Sequence, residues 1–270
     1  MYLSDLHFHT LCSSDSPATL AQQAEAAMAA GLREICVTDH WNLLDQQGER
    51  LPTIYDWGPS LSQWRALRDR WPGKLELRLG VEVGNGVLDP AAVDACLELP
   101  ELDFVIGSLH SQSAKAGGRG IFTAARACTT REDGAAILED YMDMLEELVQ
   151  TKGWDVLGHV IYPLRYIPAE HGLDLRPWWD RLAEIFRAVI SQGKGIELNT
   201  SAGTTVEQWR EVLALYRDLG GEVLTLGSDA HRPQFMAAAF PQALELLRAL
   251  GFRWLCVYRR RTPLFCKLDS

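Results

Sequence analysis

Short apolar runs alternate with helical patterns along this chain of 270 residues. Such alternation predicts parallel strands joined by helical crossovers. It restricts the fold to an open, doubly wound sheet or a closed barrel, because these are the two ways in which a parallel sheet covers both of its faces. Strands are predicted at residues 2–8, 33–38, 75–83, 103–109, 155–160, 195–199 and 222–227, with 253–258 as a candidate eighth.

Start and stop signals mark the helices between these strands. Ser16 followed by Pro17 predicts the beginning of an alanine-rich helix, and Gly31 predicts its end. Thr130 with Asp133 predicts the beginning of a second helix. The helical spacing of apolar side chains continues this second helix until Gly153. The same spacing predicts two further helices, which end before Gly193 and Gly220.

Six of the seven histidines stand at the ends of predicted strands, accompanied by carboxylates. His7 and His9 are two residues apart, so on an extended strand both imidazoles point the same way and can share one metal ion. The other members of the set are Asp39, His40, Glu82, His110, His159, Glu197, Asp229 and His231. Only a closed ring brings the ends of seven strands around one point, so this set favours the barrel. His171 lies in a loop-like segment and has no such pattern.

The ligand types indicate the metals. Imidazole and carboxylate without thiolate suit zinc, manganese or iron(II). The ligands exceed the needs of one ion, so two or three divalent ions that share bridging carboxylates are expected.

Composition narrows the classes of partner and compartment. The chain carries 26 basic and 36 acidic residues, and its net charge of −10 disfavours nucleic acid or an anionic membrane as a partner. Six scattered cysteines without a Cys-x-x-Cys pair favour a reducing compartment, and no apolar run predicts a membrane span or a signal peptide. We therefore expect a cytoplasmic protein. No linker stands out, and one domain over residues 1–270 is predicted.

Six motifs in this order resemble the polymerase and histidinol phosphatase (PHP) family over essentially the whole chain. They are His7-Phe8-His9, Thr38-Asp39-His40, Glu82, Ser108-Leu109-His110, Gly158-His159 and Ser228-Asp229-Ala230-His231. The resemblance implies a single-domain α/β fold, a distorted (β/α)7 TIM-like barrel. It places the metal site at the C-terminal ends of the strands.

The resemblance also implies how the ligands are shared. A first ion would be held by His7, His9, Glu82 and Asp229. A second would be held by Glu82 as a bridge with His110 and His159, and a third by Asp15, His40 and His231. Asp15 within residues 9–16, together with residues 197–201, 227–233 and 259–263, resembles the histidinol-phosphatase branch. Ala202 stands where many relatives have glycine.

These observations predict a metal-dependent phosphomonoesterase that acts on a small phosphorylated metabolite. Three divalent ions would outweigh the charge of three carboxylates, so the pocket would attract phosphate in an acidic protein. The resemblance specifies L-histidinol phosphate, and hence histidine biosynthesis. The alternatives are a PHP-type phosphodiesterase or exonuclease and a non-catalytic metal-binding module.

Roles are predicted for individual residues of this site. The predicted catalytic residues are Asp229, His231 and Glu82, which would act on the attacking water and the leaving alcohol. Arg165 and Arg232 are predicted to bind phosphate. Glu197 is predicted to bind a cationic substrate group or to support a metal ligand. The loops at 41–72 and 111–130 would rise over the site.

Overall fold

Strands and helices alternate along residues 2–268, the part of the chain that the computed structural model describes. The strands are β1 (Ser4–Asp5), β2 (Glu34–Val37), β3 (His40–Asn42), β4 (Glu76–Gly84), β5 (Phe104–Ser108), β6 (Val156–Leu157), β7 (Gly195–Asn199), β8 (Leu224–Gly227), β9 (Trp254–Arg259) and β10 (Thr262–Lys267). The helices are α1 (Leu20–Ala29), α2 (Trp57–Leu67), α3 (Pro90–Cys96), α4 (Ile121–Arg126), α5 (Arg131–Leu148), α6 (Trp179–Ser191), α7 (Arg210–Asp218) and α8 (Phe240–Ala249).

Seven strands form a parallel barrel in the order β1-β2-β4-β5-β6-β7-β8. The short strand β3 follows β2 and also pairs with β4. The N–H of Leu6 donates to the carbonyl of Leu226 (3.0 Å), and the N–H of Asp229 donates to the carbonyl of His7 (2.8 Å). These bonds join the first strand to the last. The predicted (β/α)7 barrel is therefore confirmed, and the open sheet is wrong.

The candidate eighth strand is formed but does not join the barrel. β9 pairs in antiparallel fashion with β10, a strand that the sequence did not predict. The turn between them consists of Arg260 and Arg261, whose φ angles are 45° and 64°. Hairpin turns of this kind usually carry Asn-Gly or Asp-Gly, so the sequence held no turn signal. Cys256 and Tyr258 of β9 pack against core residues of the barrel strands, such as Phe104.

Ion pairs hold this hairpin against the N-terminal ends of the barrel strands. The Arg259 guanidinium donates to both carboxylate oxygens of Glu34, at 2.6 Å each. Glu34 begins β2 and is fully buried. Arg261 donates to Asp155, just before β6, at 2.6 Å. The hairpin therefore closes the end of the barrel that lies opposite the predicted metal site.

Replacing Arg259 with methionine should lower the free energy of unfolding by about 3 kcal/mol. The reason is that the buried carboxylate of Glu34 loses its bidentate partner and keeps, among the described residues, only the cation of Arg78, at 3.8 Å. Urea unfolding measures this change. The matched control is Arg187→Met, which breaks the exposed Arg187–Glu184 pair and should cost less than about 0.5 kcal/mol. Equal losses in the two variants would contradict a stabilising role for the hairpin contact.

The predicted beginning of α1 is wrong by about one turn. Thr19, not Ser16, caps the helix, and Thr19 and Gln22 form a capping box. Ser16 is engaged elsewhere, because its hydroxyl donates to the carbonyls of His9 (3.2 Å) and His231 (2.9 Å). The end of the helix is as predicted, since Gly31 follows it with a φ of 79° that favours glycine.

The other helix signals agree with the structure. Thr130 and Asp133 form the capping box of α5, and α6 and α7 end shortly before Gly193 and Gly220. The buried side chains of α6 include Leu182, Phe186 and Val189, which follow the predicted helical spacing. Within residues 2–268, none of the helices has the length and apolar character needed to cross a bilayer.

Candidate metal centre

The C-terminal ends of the barrel strands bring the nine predicted metal ligands to one face of the molecule. His40 lies on β3 and Glu82 on β4, while the other seven lie in the segments that follow β1, β5, β6 and β8. The nine are His7, His9, Asp15, His40, Glu82, His110, His159, Asp229 and His231. Six of them line one cavity, and the other three, His7, His9 and Glu82, are fully buried beside these six.

Glu82 lies at the centre of this cluster and is fully buried. Its Oε1 atom is 2.8 Å from Nε2 of His159 and 3.1 Å from Nε2 of His110. Its Oε2 atom is 3.3 Å from Nε2 of His7 and 2.7 Å from Nδ1 of His40. The two oxygens therefore face different imidazole groups, as a carboxylate that bridges two ions must.

The side chains predicted to hold the first ion converge around His7 and His9. Their Nε2 atoms are 3.1 Å apart. Oδ1 of Asp229 lies 3.1 Å from Nε2 of His9 and 3.6 Å from Nε2 of His7. Oε2 of Glu82 lies 3.3 Å from Nε2 of His7 and 3.8 Å from Nε2 of His9, so ligand atoms of these three residues lie within 4.8 Å of one another. Imidazole nitrogens and carboxylate oxygens are ligands that zinc accepts.

The side chains of the predicted second set and those of the predicted third set also converge. His40, a member of the third set, lies close to both sets. Nε2 of His110 lies 3.3 Å from Nε2 of His159, beside Glu82. Oδ2 of Asp15 lies 3.4 Å from Nε2 of His40 and 3.3 Å from Nε2 of His231. The ligand atoms of His40 also group with Glu82 and His110, or with His9 and His231, within 4.8 Å of one another. The division of ligands among the ions stays a prediction.

Two buried atoms at the centre show that these residues fit a cation. Oε2 of Glu82 and Nδ1 of His40 have no hydrogen-bond partner among the described residues, although they lie 2.7 Å apart. Each such buried polar atom costs about 1–3 kcal/mol if it stays unsatisfied. Both atoms are of the type that zinc, manganese and iron(II) accept as ligands. A bound cation would satisfy both.

Burial and neighbouring charges favour the metal-binding protonation states of two carboxylates and two imidazoles. Burial by itself would raise the pKa values of Glu82 and Asp229, but the surrounding imidazoles hold both pKa values well below the usual range. Burial lowers the pKa of His9 well below its usual value and also lowers the pKa of His159. Ionised carboxylates and neutral imidazoles are the forms that bind metal ions. For His7, His40 and His231, burial by itself would lower the pKa, but nearby carboxylates raise it, so metal binding competes with protonation there.

Glu197 lies behind the cluster, away from the cavity. Only 1% of the residue is exposed. Its Oε1 atom is 2.6 Å from Nδ1 of His7, and its Oε2 atom accepts from the backbone N–H of His159 at 3.0 Å. Both oxygens also face the amide of Asn199 at 3.2 Å. This position disfavours the predicted contact with a cationic substrate group and favours the alternative, support of a metal ligand.

Asp39 has a supporting position that sequence reasoning did not assign. It accepts hydrogen bonds from the N–H of Thr10 (2.6 Å), the hydroxyl of Thr10 (2.7 Å) and the hydroxyl of Ser13 (2.7 Å). The Ser13 hydroxyl also lies 3.2 Å from Nδ1 of His9. Asp39 therefore fixes the loop that follows His9. Its place directly before His40 was the available signal.

The cavity above the cluster has a volume of about 400 Å³. Its outer wall contains Asn42 and Gln46 from one predicted loop, Phe122 from the other, and Tyr162 and Tyr166 from the segment after β6. The rings of Phe122 and Tyr166 meet edge to face, with centroids 4.9 Å apart. Sequence reasoning did not assign Asn42, Gln46, Phe122 or Tyr166 to this wall. The i, i+2 spacing from His40 to Asn42 was the one available signal.

The two arginines predicted to bind phosphate differ in position. The Arg165 side chain is 3% exposed, and its Nη1 donates to Oδ2 of Asp229 at 3.0 Å. Its Nε and Nη2 have no hydrogen-bond partner among residues 2–268. Arg232 is exposed and does not line the cavity. Arg165 does not line the cavity either, but it contacts Asp229, which does, and two of its buried nitrogens lack a partner in the described part of the chain. The structure therefore favours Arg165 over Arg232 as a phosphate contact.

The fold and the site define a barrel of the metal-dependent hydrolase class. The PHP domain model matches residues 5–201. The chain belongs to the PHP family, as the motifs predict.

Two relatives of similar length are named as histidinol-phosphatases. The chain is 24% identical to the histidinol-phosphatase of Lactococcus lactis, with 94% of this chain and 93% of the relative covered. It is 27% identical to the "probable histidinol-phosphatase" of Deinococcus radiodurans, with 96% and 98% covered. The crystal structure of the Lactococcus lactis histidinol phosphate phosphatase, complexed with zinc, L-histidinol and phosphate, superposes with a TM-score of 0.81 over 97% of this chain and 98% of that one.

Proposed function

We propose that this protein is a metal-dependent phosphomonoesterase that hydrolyses L-histidinol phosphate to L-histidinol and phosphate, a step of histidine biosynthesis. The convergence of nine metal-ligand side chains at one cavity carries the proposal. Relatives named histidinol-phosphatase match almost the whole chain and support this substrate. The reaction belongs to the cytoplasm, which agrees with six free cysteines.

The three predicted ligand sets would hold two or three divalent ions, either zinc, manganese or iron. When bound, such ions activate water for attack on phosphorus and neutralise the charge of the phosphate ester. Glu82 would fix the spacing of the ligands, because its two oxygens face opposite sides of the cluster. Its full burial excludes water from this part of the site.

Asp229 and His231 are the proposed residues for proton movement at the leaving alcohol. Both line the cavity, and their side chains are 13% and 29% exposed. Nδ1 of His231 lies 3.0 Å from the backbone carbonyl of Asp229, which orients the imidazole. Arg165 donates to the other oxygen of Asp229 and keeps the carboxylate turned towards the cluster. A leaving alkoxide at this point would meet a partly exposed carboxylate–imidazole pair.

We also propose that the functional domain comprises the whole chain. The family model ends at residue 201, but Asp229 and His231 follow β8, which closes the barrel. The β9–β10 hairpin then covers the opposite end. Neither the barrel nor the ligand set is complete without residues beyond the family match.

A screen of phosphate esters with added zinc or manganese tests the proposed function. We expect a preference of about 100-fold or more for histidinol phosphate over other small monoesters, which corresponds to about 2.7 kcal/mol in transition-state discrimination. Single-stranded DNA and a phosphodiester serve as the competing substrates. Faster cleavage of either would favour the PHP-type phosphodiesterase, and a metal-loaded protein inert towards all of them would favour a binding module.

Arg165→Met should lower kcat/KM for the phosphate ester by about 10- to 100-fold, because charge-assisted hydrogen bonds contribute about 1.5–3 kcal/mol. Arg232→Met is the matched control and should leave kcat/KM unchanged, since Arg232 is exposed outside the cavity. Steady-state phosphate release measures both. A loss in Arg232→Met without a loss in Arg165→Met would reverse the assignment.

A further inference from the structure

We propose that three polar side chains position the metal ligands, and that each is seated on a glycine of the next strand in the barrel. The pairs are Asn42 on Gly84, Ser108 on Gly158 and Glu197 on Gly227. The inference rests on the metal-binding part of the proposed function and is independent of the substrate.

Glu197 on Gly227 is the pair with the most contacts to the cluster. A carboxylate oxygen can only accept, so the 2.6 Å contact between Oε1 of Glu197 and Nδ1 of His7 requires a proton on Nδ1. Nε2 of His7 is then the free donor atom, and it faces His9 and Glu82. Because the other oxygen of Glu197 holds the backbone of His159, one side chain links two predicted metal sets.

Gly227 provides the space for this carboxylate. A Cβ at Gly227 would lie within 3.0 Å of Oε1 of Glu197 and of the Cβ of His7, which is closer than real Cβ atoms approach other atoms. The φ angle of Gly227 is not in the left-handed region, so its backbone does not require glycine. The close approach of Glu197 and His7 is the remaining reason for glycine at this position.

Asn42 on Gly84 repeats the arrangement on the other side of the barrel. Oδ1 of Asn42 lies 2.8 Å from Nδ1 of His110, which leaves Nε2 of His110 free to face Glu82. Asn42 and Gly84 are direct partners in the β3–β4 register. A Cβ at Gly84 would clash with Oδ1 of Asn42 and lie 2.8 Å from Nδ1 of His110.

Ser108 on Gly158 is the third pair and acts on the central carboxylate. The Ser108 hydroxyl donates to Oε1 of Glu82 at 2.7 Å. A Cβ at Gly158 would clash with this hydroxyl. Like Gly227, Gly84 and Gly158 have no left-handed φ.

The three glycines lie within two residues of a predicted ligand, at the point where a strand ends. Gly84 follows Glu82, Gly158 precedes His159, and Gly227 precedes Asp229. Each strand thus supplies a ligand and, beside it, a gap. The polar side chain from the preceding strand enters that gap and orients a different ligand. Groups that orient metal ligands in this way typically change metal affinity 10- to 100-fold.

A double-mutant cycle on Glu197 and Gly227 tests the proposal. Zinc affinity is measured by chelator competition, and the visible spectrum of the Co²⁺-loaded protein reports ligand geometry. We expect Gly227→Ala and Glu197→Ala each to weaken zinc binding about 10- to 100-fold and to alter the cobalt spectrum. The double variant should lose less zinc affinity than the product of the two single losses, because removal of the Glu197 carboxylate relieves one contact of the added methyl group while its contact with the Cβ of His7 remains.

Gly153→Ala is the matched control, since a Cβ there would meet Val93 and no residue of the cluster. It should lower the melting temperature without changing zinc affinity. Multiplied losses in the double variant, or unchanged zinc affinity in Gly227→Ala, would overturn the proposal. If Gly227→Ala does not fold, the double-mutant cycle of Asn42→Ala with Gly84→Ala tests the proposal. The same pattern of zinc affinities is expected, and the same results would overturn the proposal. These measurements need no phosphate ester, so failure of the proposed substrate would not affect them.

Discussion

Replacing Glu82 with alanine is expected to lower kcat/KM for histidinol phosphate by about 10³-fold or more. The carboxylate contacts imidazoles on both of its oxygens, so its loss removes ligands from two of the predicted ions. Stabilisation of transition-state charge by bound ions contributes several kcal/mol, and about 4 kcal/mol corresponds to about 10³-fold. Steady-state phosphate release and the metal content of the purified protein measure the two effects.

The matched control for this variant is Glu34→Gln. Glu34 is as deeply buried as Glu82 but lies at the opposite end of the barrel, where it pairs with Arg259. The Glu34→Gln variant should be less stable than the parent protein, but its metal content and its kcat/KM should stay close to those of the parent. A Glu82→Ala protein that retains its metal and its activity would remove Glu82 from the centre of the mechanism.

Removal of the metal ions is expected to abolish phosphate release, and addition of zinc or manganese should restore it. The cluster concentrates six histidines and three carboxylates around one cavity, and among the described residues no cysteine or serine lines that cavity as an alternative nucleophile. Dialysis against a chelator, followed by titration with each metal and assay of phosphate release, measures the dependence.

Thermal unfolding of the same samples provides the control. Metal binding to the native state alone should raise the melting temperature as the concentration of free metal rises. Activity that persists after full removal of metal would refute the phosphoesterase proposal. Metal-dependent stabilisation without any phosphate release would favour the non-catalytic binding module.

The strand pattern was predicted well where strands are buried on both faces. β4, β5, β7 and β8 lie within one or two residues of their predicted bounds, because apolar runs of this length are distinctive. β1 and β6 are only two residues long, and much of their predicted length continues as irregular chain towards the metal cluster. Single backbone hydrogen bonds to the neighbouring strands continue there, such as that from the N–H of His9 to the carbonyl of Ala230.

The hairpin and the beginning of α1 show where local signals fail. The Arg260-Arg261 turn adopts positive φ angles because tertiary contacts hold it. In one of these contacts, the N–H of Arg261 donates to the carbonyl of Asp103. Likewise Ser16 is drawn into contacts with His9 and His231 instead of capping a helix. Ala202 keeps a φ of 53°, in the left-handed region that favours glycine. In each case, long-range contacts outweigh local propensity.

The amino-acid sequence by itself determined the kind of fold and the kind of chemistry. Alternation of apolar runs and helices specifies a parallel sheet, and imidazoles with carboxylates at strand ends specify a metal centre, because both follow from spacing and side-chain chemistry. Tertiary structure decided which face each polar group occupies. Glu197 lies behind His7 rather than in the cavity, Arg165 is buried while Arg232 is exposed, and Gly227 makes room for a carboxylate 30 residues away in sequence. Such positions depend on how neighbouring strands are placed side by side, which no local pattern records.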